Sequence, residues 1–248
     1  MKEFGLIGKT LDHSFSPGYF SNKFKDEKIT DCIYRLYPIN KIDEFPNIIK
    51  NNPEIKGLNV TIPYKQSIIP YLNKLDIHTK NIGAVNTIKI EKLHDKLVLT
   101  GYNTDFLGFT DSIKPIICNF NSSALILGTG GSSVAVAYAL KLLGIKYSFV
   151  SRNPKSNDIL QYSQLNKEII QSHQIIINTT PLGMYPNISE QPELPYHYLT
   201  SNHLLFDLIY NPEETRFLYL AKKNGAQTKN GFEMLGIQAE YSWEIWNT

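Results

Sequence analysis

Only two cysteines, Cys32 and Cys118, occur in the 248 residues, far apart and without a C-x-x-C spacing. That excludes a disulfide framework and a thiolate zinc site, and thiols kept reduced are the expectation. The six histidines show no metal-ligand spacing, so no metal is expected. No apolar run is long enough to span a bilayer, and the chain enters a strand pattern at Phe4 with no apolar leader before it. A cytoplasmic protein without a membrane partner is therefore expected. An excess of one charge is also missing: 25 Lys and Arg against 23 Asp and Glu leave +2. Such a balance provides no global field for nucleic acid, so any basic site must be local. Internal repeats and low-complexity segments are absent too. What remains is a globular composition, 42% hydrophobic and 19% charged, in a chain long enough for one large or two modest domains.

The chain is organised around Ser123-Ala124-Leu125-Ile126-Leu127-Gly128-Thr129-Gly130-Gly131-Ser132-Ser133, followed by an alanine-rich stretch to Leu143. An apolar run that stops at glycines and resumes as a helix delivers a phosphate to a helix N-terminus, where free amides and the helix dipole favour an anion. Gly128 and Gly130 fit the first two glycines of a dinucleotide fingerprint. The third small position is Ser133, so close helix-strand packing there must accommodate a hydroxymethyl group. The next strand, 146–150, ends at Ser151 and Arg152, where an acidic residue would receive a ribose 2′-hydroxyl. No Asp or Glu stands between Asp111 and Asp158. A carboxylate would repel a 2′-phosphate and a guanidinium can pair with one, so NADP rather than NAD is the expected cofactor.

In chain order, Phe4-Gly5-Leu6-Ile7 reads as a strand ending at Gly8, and Ser16-Pro17 as a helix start with Ser16 as cap, the helix running over 17–25. Ser14 and Ser16 place hydroxyls at the mouth of that helix, suited to a carboxylate ligand. A strand over 32–37 follows, then a helical stretch over 41–50 that Pro46 interrupts. A third strand over 55–61 runs into Ile62-Pro63-Tyr64-Lys65, where Pro63 is expected to begin a short helix. Asn59, Thr61 and Lys65 then stand around one strand end. Strands 88–90 and 97–100 pair as a hairpin, and Gly101-Tyr102-Asn103-Thr104-Asp105 leads into a helix over 106–117, with Asp105 at its cap. Beyond the glycine loop, strand 174–178 ends in Thr179-Thr180-Pro181-Leu182-Gly183-Met184, strand 204–208 ends in Ile209-Tyr210-Asn211-Pro212, and 215–223 is an amphipathic helix stopped by Gly225. The final helix carries Tyr241, Trp243 and Trp246 as core, with Gln238 pointing out of it.

These motifs together make the chain resemble the shikimate dehydrogenase family, nearly end to end. The resemblance rests on His13-Ser14-Phe15-Ser16-Pro17, Asn59-Val60-Thr61-Ile62-Pro63-Tyr64-Lys65, Gly83-Ala84-Val85-Asn86-Thr87, Asn103-Thr104-Asp105, Asn178-Thr179-Thr180-Pro181-Leu182-Gly183-Met184, Asp207-Leu208-Ile209-Tyr210-Asn211-Pro212, and Gly231-Phe232-Glu233-Met234-Leu235 with Gln238. It implies an α/β fold: an N-terminal α/β substrate domain over 1–103, a Rossmann-like NADP-binding domain over 104–231, and a C-terminal helix, 232–248, returning to the first domain. It implies reversible reduction of 3-dehydroshikimate to shikimate with NADPH, in aromatic amino-acid biosynthesis.

By matching motif, Lys65 and Asp105 resemble the catalytic pair. Ser14 and Ser16 would bind the substrate carboxylate, helped by Thr61 and Tyr210, while Asn59, Asn86 and Gln238 would bind hydroxyl and carbonyl groups. Gly128, Gly130, Gly131 and Ser132 would approach the pyrophosphate, Ser151 and Arg152 the 2′-phosphate, and Thr179, Thr180, Pro181, Met184 and Gly231 the rest of the cofactor. Two departures bear on the cofactor side: Ser151-Arg152-Asn153 replaces the family's Asn-Arg-Thr, and Thr129 replaces its usual alanine. The rival expectations are a quinate/shikimate dehydrogenase using NAD and a non-catalytic nucleotide-binding sensor. The partner expected is a small-molecule substrate, and the protein a monomer or homodimer.

Overall fold

The computed structural model describes residues 1–12, 14–94, 96–117 and 123–248. The expectations for His13 and Cys118 lie outside those residues. The chain forms two compact units, Met1–Thr104 with Gln238–Thr248, and Asp105–Ile237.

The first unit contains β1 (Lys2–Gly8), α1 (Ser16–Asp26), β2 (Cys32–Pro38), α2 (Phe45–Asn51), β3 (Ile55–Val60), β4 (Lys74–Leu75), α3 (Ile77–Ile82), β5 (Thr87–Leu93) and β6 (Lys96–Tyr102). Its sheet runs β2-β1-β3-β5-β6-β4. β1 pairs in parallel with β2 and β3, whereas β5 pairs antiparallel with β3 and β6. Ile7, Leu58, Val60 and Ile88 are the centre of one face of the core.

The other face is aromatic. Phe4 stacks on Trp246 at 4.9 Å, and Phe20 stacks on Tyr34 at 4.5 Å. Trp246 comes from the last helix, α8 (Phe232–Asn247), whose residues from Gln238 onward belong to this unit. Its indole Nε1 donates to the Ile88 carbonyl at 3.0 Å. The helix is seated there because Gly57 in β3 leaves room: a Cβ at that position would meet the indole at 2.3 Å. Gly57→Ala is expected to cost about 1–3 kcal/mol by overpacking, lowering Tm by about 2–4 °C for each kcal/mol. Thermal unfolding followed by circular dichroism reads this, and a wild-type Tm would mean that the helix yields freely.

Within the second unit stand α4 (Asp105–Ile117), β7 (Ala124–Leu127), α5 (Gly131–Leu142), β8 (Tyr147–Ser151), β9 (Ile159–Gln161), α6 (Lys167–Ser172), β10 (Ile175–Asn178), β11 (Leu204–Asp207), α7 (Arg216–Lys223) and β12 (Gln227–Lys229). The sheet is parallel throughout, in the order β12-β11-β10-β7-β8-β9. Every residue of β7, β10 and β11 is buried, as expected of central strands covered on both faces. Small buried residues of α5, among them Ala135 and Ala139, let that helix lie close to the sheet.

Local expectations fail where tertiary contacts decide. Ser16 is the first helical residue of α1 rather than its cap; Phe15 occupies the cap position, with no side-chain cap bond. Pro46 does not interrupt a helix: it lies in the first turn of α2, where no amide donor is needed. No helix begins at Pro63. The stretch is a run of turns, because the Lys65 carbonyl is taken by the Val85 amide at 2.7 Å instead of by a residue of its own segment. Asp105 opens α4 from inside its first turn. Thr215 is the cap of α7, its hydroxyl accepting from Leu218 N–H. Among the described residues no helix is long and apolar enough to cross a membrane.

Candidate active site

Each sheet contains a point where strand order reverses, and the carboxyl ends of the strands flanking such a point form a crevice for ligands. In the first unit the chain leaves β1 for β2 on one side and later returns to β3 on the other. The segments following β1 and β3 meet there: Thr61 N–H donates to the Ile7 carbonyl at 2.8 Å and Lys9 N–H to the Ile62 carbonyl at 3.4 Å. Ser14, Thr61 and Lys65 are half-buried in these two segments, and Ser16 is buried.

Behind them lies a buried polar network. The Tyr34 hydroxyl bonds Ser16 and donates to Asn59 Oδ1 at 2.8 Å, and burial holds the Tyr34 phenol above its usual range, so it acts as a neutral donor. Asn59 Nδ2 donates to Ser242 Oγ at 2.9 Å and more weakly to Thr87 Oγ1 and the Asn86 carbonyl at 3.3 Å. Ser242, four residues past Gln238 on α8, lies 2.8 Å from Thr87 Oγ1. Asn86 receives Thr104 N–H on Oδ1 at 2.6 Å and donates from Nδ2 to Gln238 Oε1 at 3.0 Å. No buried side-chain polar atom among the described residues lacks a partner.

This arrangement fixes polarity. With Oε1 held by Asn86 and Thr104, the Gln238 carboxamide turns its Nε2 donors away from the network. The donor protons of Asn59 and Asn86 are spent inside it. The Thr104 N–H bond to Asn86 also sets the backbone immediately before Asp105, whose side chain is only 5% exposed. Tyr34, Thr87, Thr104 and Ser242 were not legible as site residues; only the i, i+4 spacing of Gln238 and Ser242 hinted that the two share a helix face.

In the second unit the reversal lies between β7 and β10. Gly128 ends β7 with φ +109°, a conformation that favours glycine, and a Cβ there would meet Thr179 Oγ1 at 2.8 Å. Thr179 in turn donates its hydroxyl to the Leu127 carbonyl at 2.6 Å. Thr180 Oγ1 donates to Asn178 Oδ1 at 2.6 Å, so both threonine hydroxyls brace the loop. Pro181 and Met184 are exposed on it.

Gly130 is the cap residue of α5, with Gly131 as its first residue and Ser132 next; the last two are half-buried. A Cβ at Gly130 would meet nothing within 4 Å. No intramolecular contact requires a glycine there, and the open space over a helix N-terminus fits a diphosphate. Ser133 is fully buried, and its hydroxyl is reconciled with close packing by donating to the Gly130 carbonyl at 2.6 Å. Ser151 ends β8 half-buried, accepting Asn153 N–H at 3.2 Å, and Arg152 beyond it is exposed. An exposed cation at the end of the strand beside β7 fits a phosphorylated ribose.

Tyr210 is half-buried after β11. Gly231 donates its N–H to the Ile209 carbonyl at 3.1 Å, and a Cβ there would lie 2.2 Å from the Leu208 carbonyl oxygen. Close backbone approach thus accounts for that glycine. Asp207, at the end of β11, is fully buried, and burial pushes its carboxyl up to about 7. A single acidic residue closing an apolar strand was the signal for it.

Comparison with known proteins agrees across both units. A family model described as the shikimate dehydrogenase substrate binding domain matches residues 6–88. The shikimate dehydrogenase (NADP(+)) of Clostridium beijerinckii is 40% identical, over 99% of this chain and 92% of that protein. The protein of the same name from Methanococcus vannielii is 37% identical, over 98% of this chain and 90% of its own. The crystal structure of shikimate dehydrogenase 1 from Peptoclostridium difficile superposes with a TM-score of 0.84 at 37% identity, covering 100% of this chain and 92% of that one.

Proposed function

The chain belongs to the shikimate dehydrogenase family, and on that premise we infer that it catalyses the NADP-dependent, reversible reduction of 3-dehydroshikimate to shikimate, a cytoplasmic step of aromatic amino-acid biosynthesis. The observation that carries the reading is that each unit presents the residue types this chemistry needs at its own point of strand reversal. In the first these are Ser14, Ser16, Thr61 and Lys65; in the second, Gly130, Gly131, Arg152 and the 179–184 loop.

The cofactor supplies the hydride when bound. As the carbonyl is reduced, negative charge develops on its oxygen, and Lys65 donates the proton that this oxygen takes up; in oxidation the same amine takes the proton back. Asp105, the other member of the acid-base pair, accepts a hydrogen bond from the reacting hydroxyl. Ser14 and Ser16 hold the substrate carboxylate with Thr61 and Tyr210. Gln238 offers Nε2 donors to a ring oxygen, their direction set by Asn86 and Thr104. Asn86 acts by fixing that direction and Asn59 by bracing the network behind it through Ser242, since their donor protons are engaged. Gly128, Gly130, Gly131 and Ser132 receive the diphosphate, Ser151 and Arg152 the 2′-phosphate, and the loops carrying Thr179, Thr180, Pro181, Met184 and Gly231 the remainder.

Initial rates with shikimate and with quinate, each against NADP and NAD, test the reading. The highest kcat/KM is expected for shikimate with NADP. Equal or better efficiency with quinate and NAD would overturn the substrate assignment, and cofactor binding without turnover of either substrate would make the protein a sensor.

A further inference from the structure

Asp207 is a buried carboxylate with no cation against it among the described residues. Three donors converge on it. Thr215 Oγ1 donates to Oδ2 at 2.5 Å, and Ile209 N–H and Asn178 Nδ2 each donate to Oδ1 at 3.0 Å. Each donor leads into a different segment of the second unit. Asn178 ends β10 and receives on its Oδ1 both the N–H and the hydroxyl of Thr180, whose oxygen accepts Leu182 N–H at 3.3 Å. Ile209 lies on the loop after β11, and its carbonyl takes the Gly231 amide. Thr215 caps α7. Tyr185 N–H, donating to the Asn211 carbonyl at 3.2 Å, closes the link between the two loops.

We propose that Asp207 is the positioning residue of this site: its ionised carboxylate locks the 179–184 loop, which takes the cofactor, and the 208–211 loop, which carries Tyr210, into the one arrangement that receives their ligands. The proposal rests on the assignment, made above, of the 179–184 loop to the cofactor and of Tyr210 to the substrate carboxylate. A carboxylate is the group the socket fits, because an ionised carboxyl only accepts, and every group aimed at it donates. An asparagine would keep one acceptor for Ile209 and Asn178 but lose the charge, and its NH2 group would have to use Thr215 as acceptor instead of donor.

Burial opposes ionisation and brings the group to titrate at about pH 7. Tyr196, from the turn 196–198, is the titratable group facing it, and burial holds that phenol above its usual range, hence neutral. When Asp207 takes up a proton on Oδ2, the one acceptor in reach of its O–H is Thr215 Oγ1, which also accepts Leu218 N–H, so the bond to Thr215 reverses its direction. The bonds from Ile209 and Asn178 then lose the charge that strengthens them, and Thr215 no longer donates to the carboxyl. The raised carboxyl also contributes to overall stability with a definite sign: the contribution is full below about pH 4 and is lost as pH rises through about 7. Lowering the pH therefore strengthens the fold through this group while loosening the two loops.

The test compares wild type, D207N, N178D and D207N/N178D. Readouts are NADP affinity by fluorescence titration, kcat and KM for NADP from pH 5.5 to 8.5, and thermal unfolding. D207N is expected to weaken NADP binding about tenfold and to abolish the wild-type step in affinity near pH 7, with a folded thermal profile. N178D places two carboxylates together and is expected to be weaker still. The double variant re-forms the pair with the carboxamide donating, and should recover most of the loss. A folded D207N with wild-type NADP affinity and pH profile would overturn the proposal, as would a double variant no better than D207N. Hydrogen exchange on wild type provides a reading independent of any variant: protection factors of the Thr180 and Leu182 amides should fall as pH drops below about 7. Unchanged protection would overturn the lock even if D207N does not fold. Absence of shikimate turnover in wild type would instead count against the assigned reaction, leaving the exchange result to judge the lock.

Discussion

Replacing Lys65 by alanine is expected to cut turnover of shikimate with NADP by about 10²–10⁴-fold, the loss typical of an acid-base group, while leaving the fold and NADP affinity nearly unchanged. The expectation of an intact fold comes from how the position is held. The turn carrying Lys65 is fixed through its main chain, by the Val85 amide on the Lys65 carbonyl at 2.7 Å and by Tyr64, which buries its ring and donates its hydroxyl to the Ile39 carbonyl at 2.8 Å. The Lys65 side chain is half-buried and is not part of the apolar core of this unit. Truncation thus removes the amine and leaves these main-chain and Tyr64 supports in place. Steady-state kcat, an NADP titration and a thermal melt on the purified variant separate the effects, and wild-type turnover in a folded variant would end the assignment.

Arg152→Ala should lower kcat/KM for NADP by about 10–100-fold, the range corresponding to loss of charge-assisted hydrogen bonds worth about 1.5–3 kcal/mol, with NAD nearly unaffected. Exposure of Arg152 at the end of β8 removes any packing role. Its guanidinium acts on Tyr162, whose phenol burial pushes up to about 12 all the same. The exposed guanidinium is accessible to a phosphate dianion. Equal losses with both cofactors would show that Arg152 does not discriminate the 2′-phosphate, and an unchanged NADP efficiency would remove it from the site.

Much of the fold was legible because its signals are local. The apolar run ending at Leu127 and the strands read over 174–178 and 204–208 are strands in the structure, and they form the buried centre of the parallel sheet. Glycines at 128 and 130 marked the loop: at Gly128 a φ of +109° and the nearness of Thr179 exclude a side chain, whereas at Gly130 the space over the helix N-terminus is open. The aromatic residues of the last helix read as core, and Trp246 is 6% exposed. Where reading failed, a residue had two local roles open to it and a distant partner chose between them. Ser16 next to Pro17 has the pattern of a cap, yet Tyr34 takes its hydroxyl. Pro63 has the pattern of a helix start, yet Val85 takes the carbonyl that a helix would need.

By itself the sequence determined which residue types stand at the strand ends, where the strands and principal helices run, and the family to which the chain belongs, because periodicity, turn residues and motif order are written along the backbone. Only the tertiary structure decided the strand order that brings two reversals to the ligand loops, the donor direction of Gln238, and the burial of Asp207 among three donors. Those depend on partners far away in the chain: Asn86 and Gln238 are 152 residues apart, Thr87 and Ser242 are 155 apart, and Asn178 and Asp207 are 29 apart. Hydrogen-bond polarity and desolvation arise from the pairing of such residues, and no stretch of the chain read alone contains both members.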